Sequence, residues 1–391
     1  MQITSTSCLT VSSGLVEDLI GSGQIKRDVQ SNRILVSVFD SVTPVIFNAV
    51  DKYPGACQSN GTGFSNSPSH NYNTFAATIS EQYAAFDARP VDWNQQVSSH
   101  QNLINENMTN QSLFNVFADM LTPLMDAHVS LISPFDYFYG VLTLDHVIDL
   151  RERSQNPLVD QIISNYMITP VLTTANGIIK YGMLDNNSGY ISISRFNEFL
   201  INATHIENQA YFNQQITLVL NYLESHGMEN LIIDLRKNGG GDSSYGLDLV
   251  GRFSHGASRL AFSETRPTAT GMSIPVTVTI LPSSELNFDG ELVVLTSGLT
   301  GSAAEITTLG FKALPHVKLI GTNSFGILSR AERILSNGWT LSITAGHIAA
   351  PNGEKYEAIG IPVDISVDVF TDTDFNAMRD SAIDSALNTL N

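Results

Sequence analysis

Cysteine is scarce: Cys8 and Cys57 are the two in 391 residues. They allow one disulfide in an oxidising compartment, or two free buried thiols. Cations are scarce as well. Lys and Arg total 20 against 38 Asp and Glu, a net charge of -18. Such a surface repels phosphate backbones and anionic lipid, so neither nucleic acid nor polybasic membrane docking is expected. No run of about 18 apolar residues occurs, so no membrane span is expected. Met1-Gln2-Ile3-Thr4-Ser5 lacks the basic stretch and apolar run of a secretory signal. The signal is then absent or already cut away. Little Lys with much Asn, Ser and Thr leans towards an extracytoplasmic life, periplasmic or secreted. No HExxH or other zinc-like spacing occurs among the nine His, and no metal or organic cofactor is expected.

What is present is a chain rich enough in apolar residues, 42%, to bury a large core. At about 150 residues per domain it should divide into two or three units. Residues 1–133 read as a helical N-terminal domain. Helical spacing covers 34–53, stopping at Pro54-Gly55, then 75–86, 90–104 and 112–125. Residues 55–73, rich in Gly, Ser and Asn, read as a loop. Residues 134–188 read as a linker or small β segment, with strands near 138–144 and 178–183. From 189 to 391 strands and helices alternate: strands at 190–194, 231–235, 276–281, 292–296 and 317–320, and helices at 212–223, 245–253 and 302–314. That alternation predicts an α/β core with parallel strands and flanking helices. Residues 339–344 and 365–369 are expected to extend the sheet, and 375–390 to form a closing helix.

Three segments carry chemistry. Ser297-Gly298-Leu299-Thr300-Gly301-Ser302-Ala303-Ala304-Glu305 follows an apolar strand and opens a helix. A hydroxyl there meets free N–H groups and the positive helix end, which favour an oxyanion. Ser302 could equally be a plain N-cap, which taken alone is the commoner role. Leu235-Arg236-Lys237-Asn238-Gly239-Gly240-Gly241 also follows a buried strand. Its glycines let N–H groups approach a ligand, or merely make a turn. No Gly-Lys-Ser/Thr follows, which disfavours a phosphate loop. Leu124-Met125-Asp126-Ala127-His128-Val129-Ser130 places a His beside an acid at a helix-to-strand junction. A lone His is more often structural. Asp126 reads as structural, Asp234 and Arg236 as an ion pair at a strand end, and His316 and His347 as surface or satisfied core residues.

Together and in this order, these segments resemble the C-terminal processing (tail-specific) peptidases. The likeness is nearer to the branch of the tricorn core and interphotoreceptor retinoid-binding protein. Gly321-Thr322-Asn323-Ser324-Phe325-Gly326, Tyr356-Glu357-Ala358-Ile359-Gly360-Ile361-Pro362-Val363-Asp364 and Ala85-Phe86-Asp87-Ala88-Arg89-Pro90-Val91-Asp92-Trp93 join the match. The resemblance spans roughly 75–370. It implies a ClpP/crotonase-like core behind the small helical domain, with no clear PDZ module in the short segment before it. It implies Ser302 as nucleophile, His128 as general base and Glu357 orienting the imidazole. The N–H groups of Ala303 and Gly240 (or its neighbour Gly241) would form the oxyanion hole. Two departures stand out. Ile327 holds the place of the lysine in the Ser–Lys branch. Ala127 holds the place of a hydroxyl residue before the His, so that fourth member is either missing or supplied from elsewhere, Ser130 being one candidate. The resemblance implies a serine peptidase acting on a peptide or protein. The alternative is a non-catalytic protein of the same fold that binds apolar ligands or peptides.

Overall fold

The computed structural model describes residues 65–140, 145–268 and 271–390, with three short strands nearer the start. Those strands, β1 (Gln24–Asp28), β2 (Arg33–Ser37) and β3 (Val45–Asn48), form an antiparallel meander. The helix expected at 34–53 is therefore corrected: most of β2 and all of β3 lie within that range. Ile34, Val36, Val45, Ile46 and Phe47 are β-branched or aromatic, which favours strands. Cys8 and Cys57 lie outside the described residues.

The three later helices form where expected. They are α1 (Pro68–Gln82), α2 (Trp93–Gln101) and α3 (Asn110–Leu121), capped by Ser67, Asp92 and Thr109. The cap at Ser67 ends the glycine-rich stretch earlier than residue 73. β4 (Ser130–Ile132) and β5 (Tyr137–Tyr139) follow, then two helices in a segment read as linker, α4 (Asp145–Ser154) and α5 (Pro157–Tyr166). Next come β6 (Leu172–Thr174), β7 (Ile179–Leu184), β8 (Ser188–Ile193), α6 (His205–Ser225), β9 (Asn230–Asp234) and α7 (Ser243–Gly251). The strands β10 (Arg259–Thr265), β11 (Pro267–Thr268), β12 (Gly271–Met272), β13 (Val276–Ile280) and β14 (Glu291–Thr296) precede α8 (Ala303–Lys312). The chain closes with β15 (Val317–Gly321), β16 (Ala331–Ile334), β17 (Thr340–Ile343), β18 (His347–Ala349), β19 (Ile365–Ser366), α9 (Asp372–Ala377) and α10 (Ser381–Thr389).

The main sheet has seven strands in the order β19-β15-β14-β9-β8-β7-β6. It is parallel from β19 to β8, and antiparallel where β7 and β6 complete its edge. Helix α6 shows why it packs here. The Thr204–Glu207 capping box starts it, and Phe212, Ile216, Val219, Leu220 and Leu223 line one face. Burying each of these is worth about 1.5–3 kcal/mol. Two expectations for this sheet are corrected. Residues 339–344 do not extend it, because β17 pairs with β16 and β4 in a separate four-stranded sheet. Trp339, Leu341 and Ile343 find their burial against the helical layer instead. The closing helix is broken at Met378, whose φ is 51°. Asp380 caps a fresh helix, accepting the Ala382 and Ile383 N–H groups while gripping Arg236.

Two hydrophobic cores position the functional segments. The core over one face of the main sheet includes Ala303 and Ala304 at the start of α8. The core of the helical layer gathers Phe75, Trp93, Phe117, Leu124, Val129 and Leu131 with Trp339, Leu341 and Ile343 from β17 and its approach. The nucleophile turn grows from the first core and the His128 segment from the second.

Candidate active site

The turn after β14 is stitched to the turn after β9. Ser297 Oγ donates to the Arg236 carbonyl at 2.6 Å, Thr300 Oγ1 to Leu235 O at 2.9 Å, and Gly301 N–H to Asn238 O at 3.0 Å. Out of this turn Ser302 emerges with φ 56° and ψ -122°, a conformation that costs about 1–3 kcal/mol outside glycine. It is held there by its N–H, donated to Ile327 O at 3.1 Å and Glu305 Oε2 at 3.2 Å. Gly240 lies directly against it: a Cβ on Gly240 would fall 2.7 Å from Ser302 Cβ. Ser302 stands at the N-cap position of α8, and the Glu305 N–H donates to its carbonyl at 2.8 Å. The Oγ faces His128, 3.0 Å from Nε2.

His128 lies between α3 and β4 with its backbone N–H on Asp126 Oδ1 at 2.9 Å. Its Nδ1 lies 2.8 Å from the Ser329 carbonyl. A carbonyl can only accept, so Nδ1 carries the proton and Nε2 presents its lone pair to the Ser302 hydroxyl. Burial pushes the imidazole below its usual value, outweighing the opposite pull of Asp126. The ring is thus held neutral, which is the form a general base needs.

Glu357 departs from the expectation that it orients this ring. Among the described residues, the partner of Nδ1 is the Ser329 carbonyl, and no carboxylate lies within ion-pair distance of the imidazole. Glu357 instead accepts from Arg89 Nη1 at 2.8 Å and from Leu328 N–H at 3.0 Å. The reason is charge: a buried carboxylate goes to the buried guanidinium. Arg89 also lies 3.8 Å from Asp126, and its other nitrogen donates to Gly326 O at 3.1 Å. Asp126 further accepts from Tyr83 Oη at 2.9 Å and Thr344 Oγ1 at 2.8 Å. Burial, then the nearby Asp126, push Glu357 up to about 7, against the pull of Arg89. Glu357 therefore meets the site one step removed, through the 326–329 segment whose Ser329 carbonyl holds the imidazole.

Glu305 organises the same segment from below. Fully buried, it accepts from Ser324 Oγ at 2.6 Å, Gly326 N–H and Ile327 N–H at 2.7 Å, and Ser302 N–H. Burial pushes it up to about 7 despite these donors. Of the expected oxyanion donors, the Ala303 N–H has no acceptor among the described residues and opens α8. The Gly240 N–H is engaged by Asn238 Oδ1 at 2.9 Å. Ser130 sits in β4 without a hydrogen bond to His128 among the described residues. Asp234 and Arg236 do pair, joined by Asp380 and Tyr190 in a buried cluster. Sequence pattern does not single out Arg89 or the Ser329 carbonyl as parts of the site. Arg89 stands within the 85–93 match, but a main-chain carbonyl has no residue type to betray it.

A strained serine at a helix mouth, with a neutral imidazole against it on an α/β core, is the arrangement used by serine hydrolases. Residues 187–367 match the model of peptidase family S41. The nisin-resistance protein of Lactococcus lactis is 31% identical over 164 residues, 37% of this chain and 49% of that protein. A carboxyl-terminal-processing protease of Synechocystis is 28% identical over 179 residues, 45% of this chain and 37% of that one. The chain thus matches half or less of these relatives' lengths. Two solved structures share the fold. One, solved as a presumed peptidase from Parabacteroides merdae, has a TM-score of 0.66 at 24% identity, covering 83% of this chain and 96% of that one. The other, a lipoprotein from Streptococcus agalactiae, has a TM-score of 0.55 at 17% identity, covering 85% and 98%.

Proposed function

We propose that this protein is a serine peptidase, of endopeptidase or C-terminal processing type. Ser302 Oγ attacks a peptide carbonyl while His128 Nε2 takes its proton. The Ala303 N–H and the 239–241 turn stabilise the oxyanion, Gly240 pressing close to Ser302 Cβ. The C–N bond then breaks, and His128 returns the proton to the departing amine. Water attacks the acyl-enzyme by the same route, its proton passing to His128 and back to Ser302. Ile327 in the lysine position fits a His base, as the likeness to the tricorn branch implies. Glu357 is a positioning residue here: it holds Leu328 N–H and balances Arg89. The helical layer with β16 and β17 is one folding unit in this reading, and the main sheet with its helices the other. An extracytoplasmic site of action fits the low Lys content and the abundance of Asn, Ser and Thr.

One observation carries the proposal: Nε2 of a neutral His128 lies 3.0 Å from the hydroxyl of Ser302 at the mouth of α8. A fluorophosphonate probe tests it. Wild-type protein should label at Ser302, with labelling lost in Ser302→Ala and in His128→Ala. Failure of folded wild-type protein to label would favour the binding protein. The cavity of about 490 Å³ beside Gly301 is the feature that favours that second reading.

A further inference from the structure

Strand β13 ends its three-stranded sheet. It is bonded to β10 on one side and, among the described residues, to no strand on the other. Such an edge offers a row of unmet N–H and C=O groups, which proteins commonly guard with charge. Glu332 and Arg333 stand in the edge strand β16, and Asp364 and Asp368 flank the edge strand β19. Around β13, no Asp, Glu, Lys or Arg occurs from Pro267 to Ser284. The register shift in this sheet falls in β10, between Leu260 and Phe262, and leaves β13 regular.

Apolar side chains at this edge stand in solvent: Ile274 is 82% exposed, Leu281 61% and Val276 59%. Val276, Val278 and Ile280 alternate with Thr277 and Thr279, so the two sets face opposite sides of the sheet. Ile280 is buried and Val278 packs on the main core, which fixes the inner face. Thr277 and Thr279 are exposed on the outer face. Val-Thr-Val-Thr-Ile reads nearly the same in both directions about Val278. Pro275 and Pro282 bracket it, and neither has an N–H to continue a ladder.

We propose that β13 pairs antiparallel with the β13 of a second copy of this chain, about a two-fold axis at Val278. That register sets Val276 opposite the partner's Ile280 and Thr277 opposite the partner's Thr279, with Val278 facing its own counterpart. A β-branched residue then meets a β-branched residue at every position of the strand. Ile274 falls opposite the partner's Pro282, and Leu281 opposite the partner's Pro275, so the exposed apolar groups gain cover. A slip of two residues would bring Pro275 or Pro282 inside the ladder, which selects this register. The two three-stranded sheets become one of six strands. Charge favours a second copy as the occupant. A charged foreign strand finds no ion pair at this edge, and two bodies of net charge -18 meet no added local repulsion there. The proposal is independent of the peptidase reading.

Sedimentation of the full-length protein tests it. One short strand pair lies at the small end of interface sizes, so a Kd on the order of 10 µM is expected. The mass should therefore move from one chain towards two between about 1 and 100 µM. Salt screens the repulsion between the bodies and has no ion pair to break at the edge. Dimerisation should tighten about five-fold or more between roughly 50 and 500 mM NaCl. Thr277→Lys/Thr279→Lys sets like charges opposite each other and should stay monomeric, with a melt like that of the wild type. Thr277→Val/Thr279→Val should dimerise at least as tightly. Hydrogen exchange of the β13 amides in wild-type protein should slow as concentration rises, which decides the matter even if the lysine variant fails to fold. A wild-type monomer at about 100 µM in high salt overturns the proposal. So does a dimer that the folded lysine variant retains. Equal protection of the β13 amides at all concentrations in a monomer also overturns it, because another segment of the chain then covers the edge.

Discussion

The Glu357 carboxylate accepts the Leu328 N–H at 3.0 Å, and Leu328 is the residue before the carbonyl that fixes the His128 ring. The acid therefore reaches the imidazole through the main chain. This differs from a triad in which a carboxylate bonds the ring directly, and the difference can be measured. Glu357→Gln keeps an oxygen for the Leu328 N–H, whereas Glu357→Ala keeps none. Labelling by fluorophosphonate, or hydrolysis of a casein substrate, should fall about ten-fold in the first and at least about a hundred-fold in the second. Equal losses on the order of 10⁴ in both would restore the direct role.

Gly240 gives a second prediction. Its φ of 113° is glycine territory, and an added methyl would collide with Ser302 Cβ at 2.7 Å and with Gly301 O at 2.9 Å. Gly240→Ala should cost about 1–3 kcal/mol of stability by backbone strain. Displacing the nucleophile should cost about a hundred-fold in labelling rate as well. Denaturant melts and probe kinetics on the same preparation check both. A folded variant that labels at the wild-type rate would show that the turn has slack.

The pH profile of labelling follows from the state of His128. Burial lowers its proton affinity, so the neutral base persists below the ordinary value of 6.5. Labelling should hold as the pH falls through 6.5, and its acid limb should lie lower. A midpoint at or above 6.5 would mean that the ring is more solvated than its packing indicates.

Arg89→Met strips the cation from between Asp126 and Glu357. Leaving buried carboxylates unmatched should cost about 3–5 kcal/mol. The sign of the pH effect is fixed by Glu357, raised in the folded protein from 4.5 to about 7. Its bound proton favours the folded state in acid, and this contribution is lost as pH rises through about 7. Without Arg89 the affinity rises further, so the penalty should shrink near pH 5 and be largest near pH 8, to order of magnitude. Thermal melts of both proteins across that range test it. A penalty independent of pH would point to lost packing alone.

Much of the fold and of the site is legible in the residues alone. The strand running into Arg236-Lys237-Asn238-Gly239, the turn ending at Ser302 and the His128 junction each lie where local pattern places them. Short-range signals suffice there: an apolar run, a cap, glycines. What stays hidden depends on meetings far along the chain. The run 339–344 reads as a strand, but which sheet it joins is decided by Trp339 finding Phe114 and Phe117. The helices α4 and α5 are only 10 residues each, too short for the 145–166 stretch to sustain a period over several turns. The competition between His128 and Arg89 for Glu357 is settled by burial and charge, neither of which a single sequence displays.

The two partners of the 3.0 Å contact hang from different hydrophobic cores, His128 beside Leu124 and Val129, Ser302 beside Ala303 and Ala304. Their separation is therefore a gauge of how the two layers are docked. A slip of an ångström or two at that seam would part acid from base with every side chain intact. A small molecule wedged into the seam could silence the protein from a distance, leaving the nucleophile open to view.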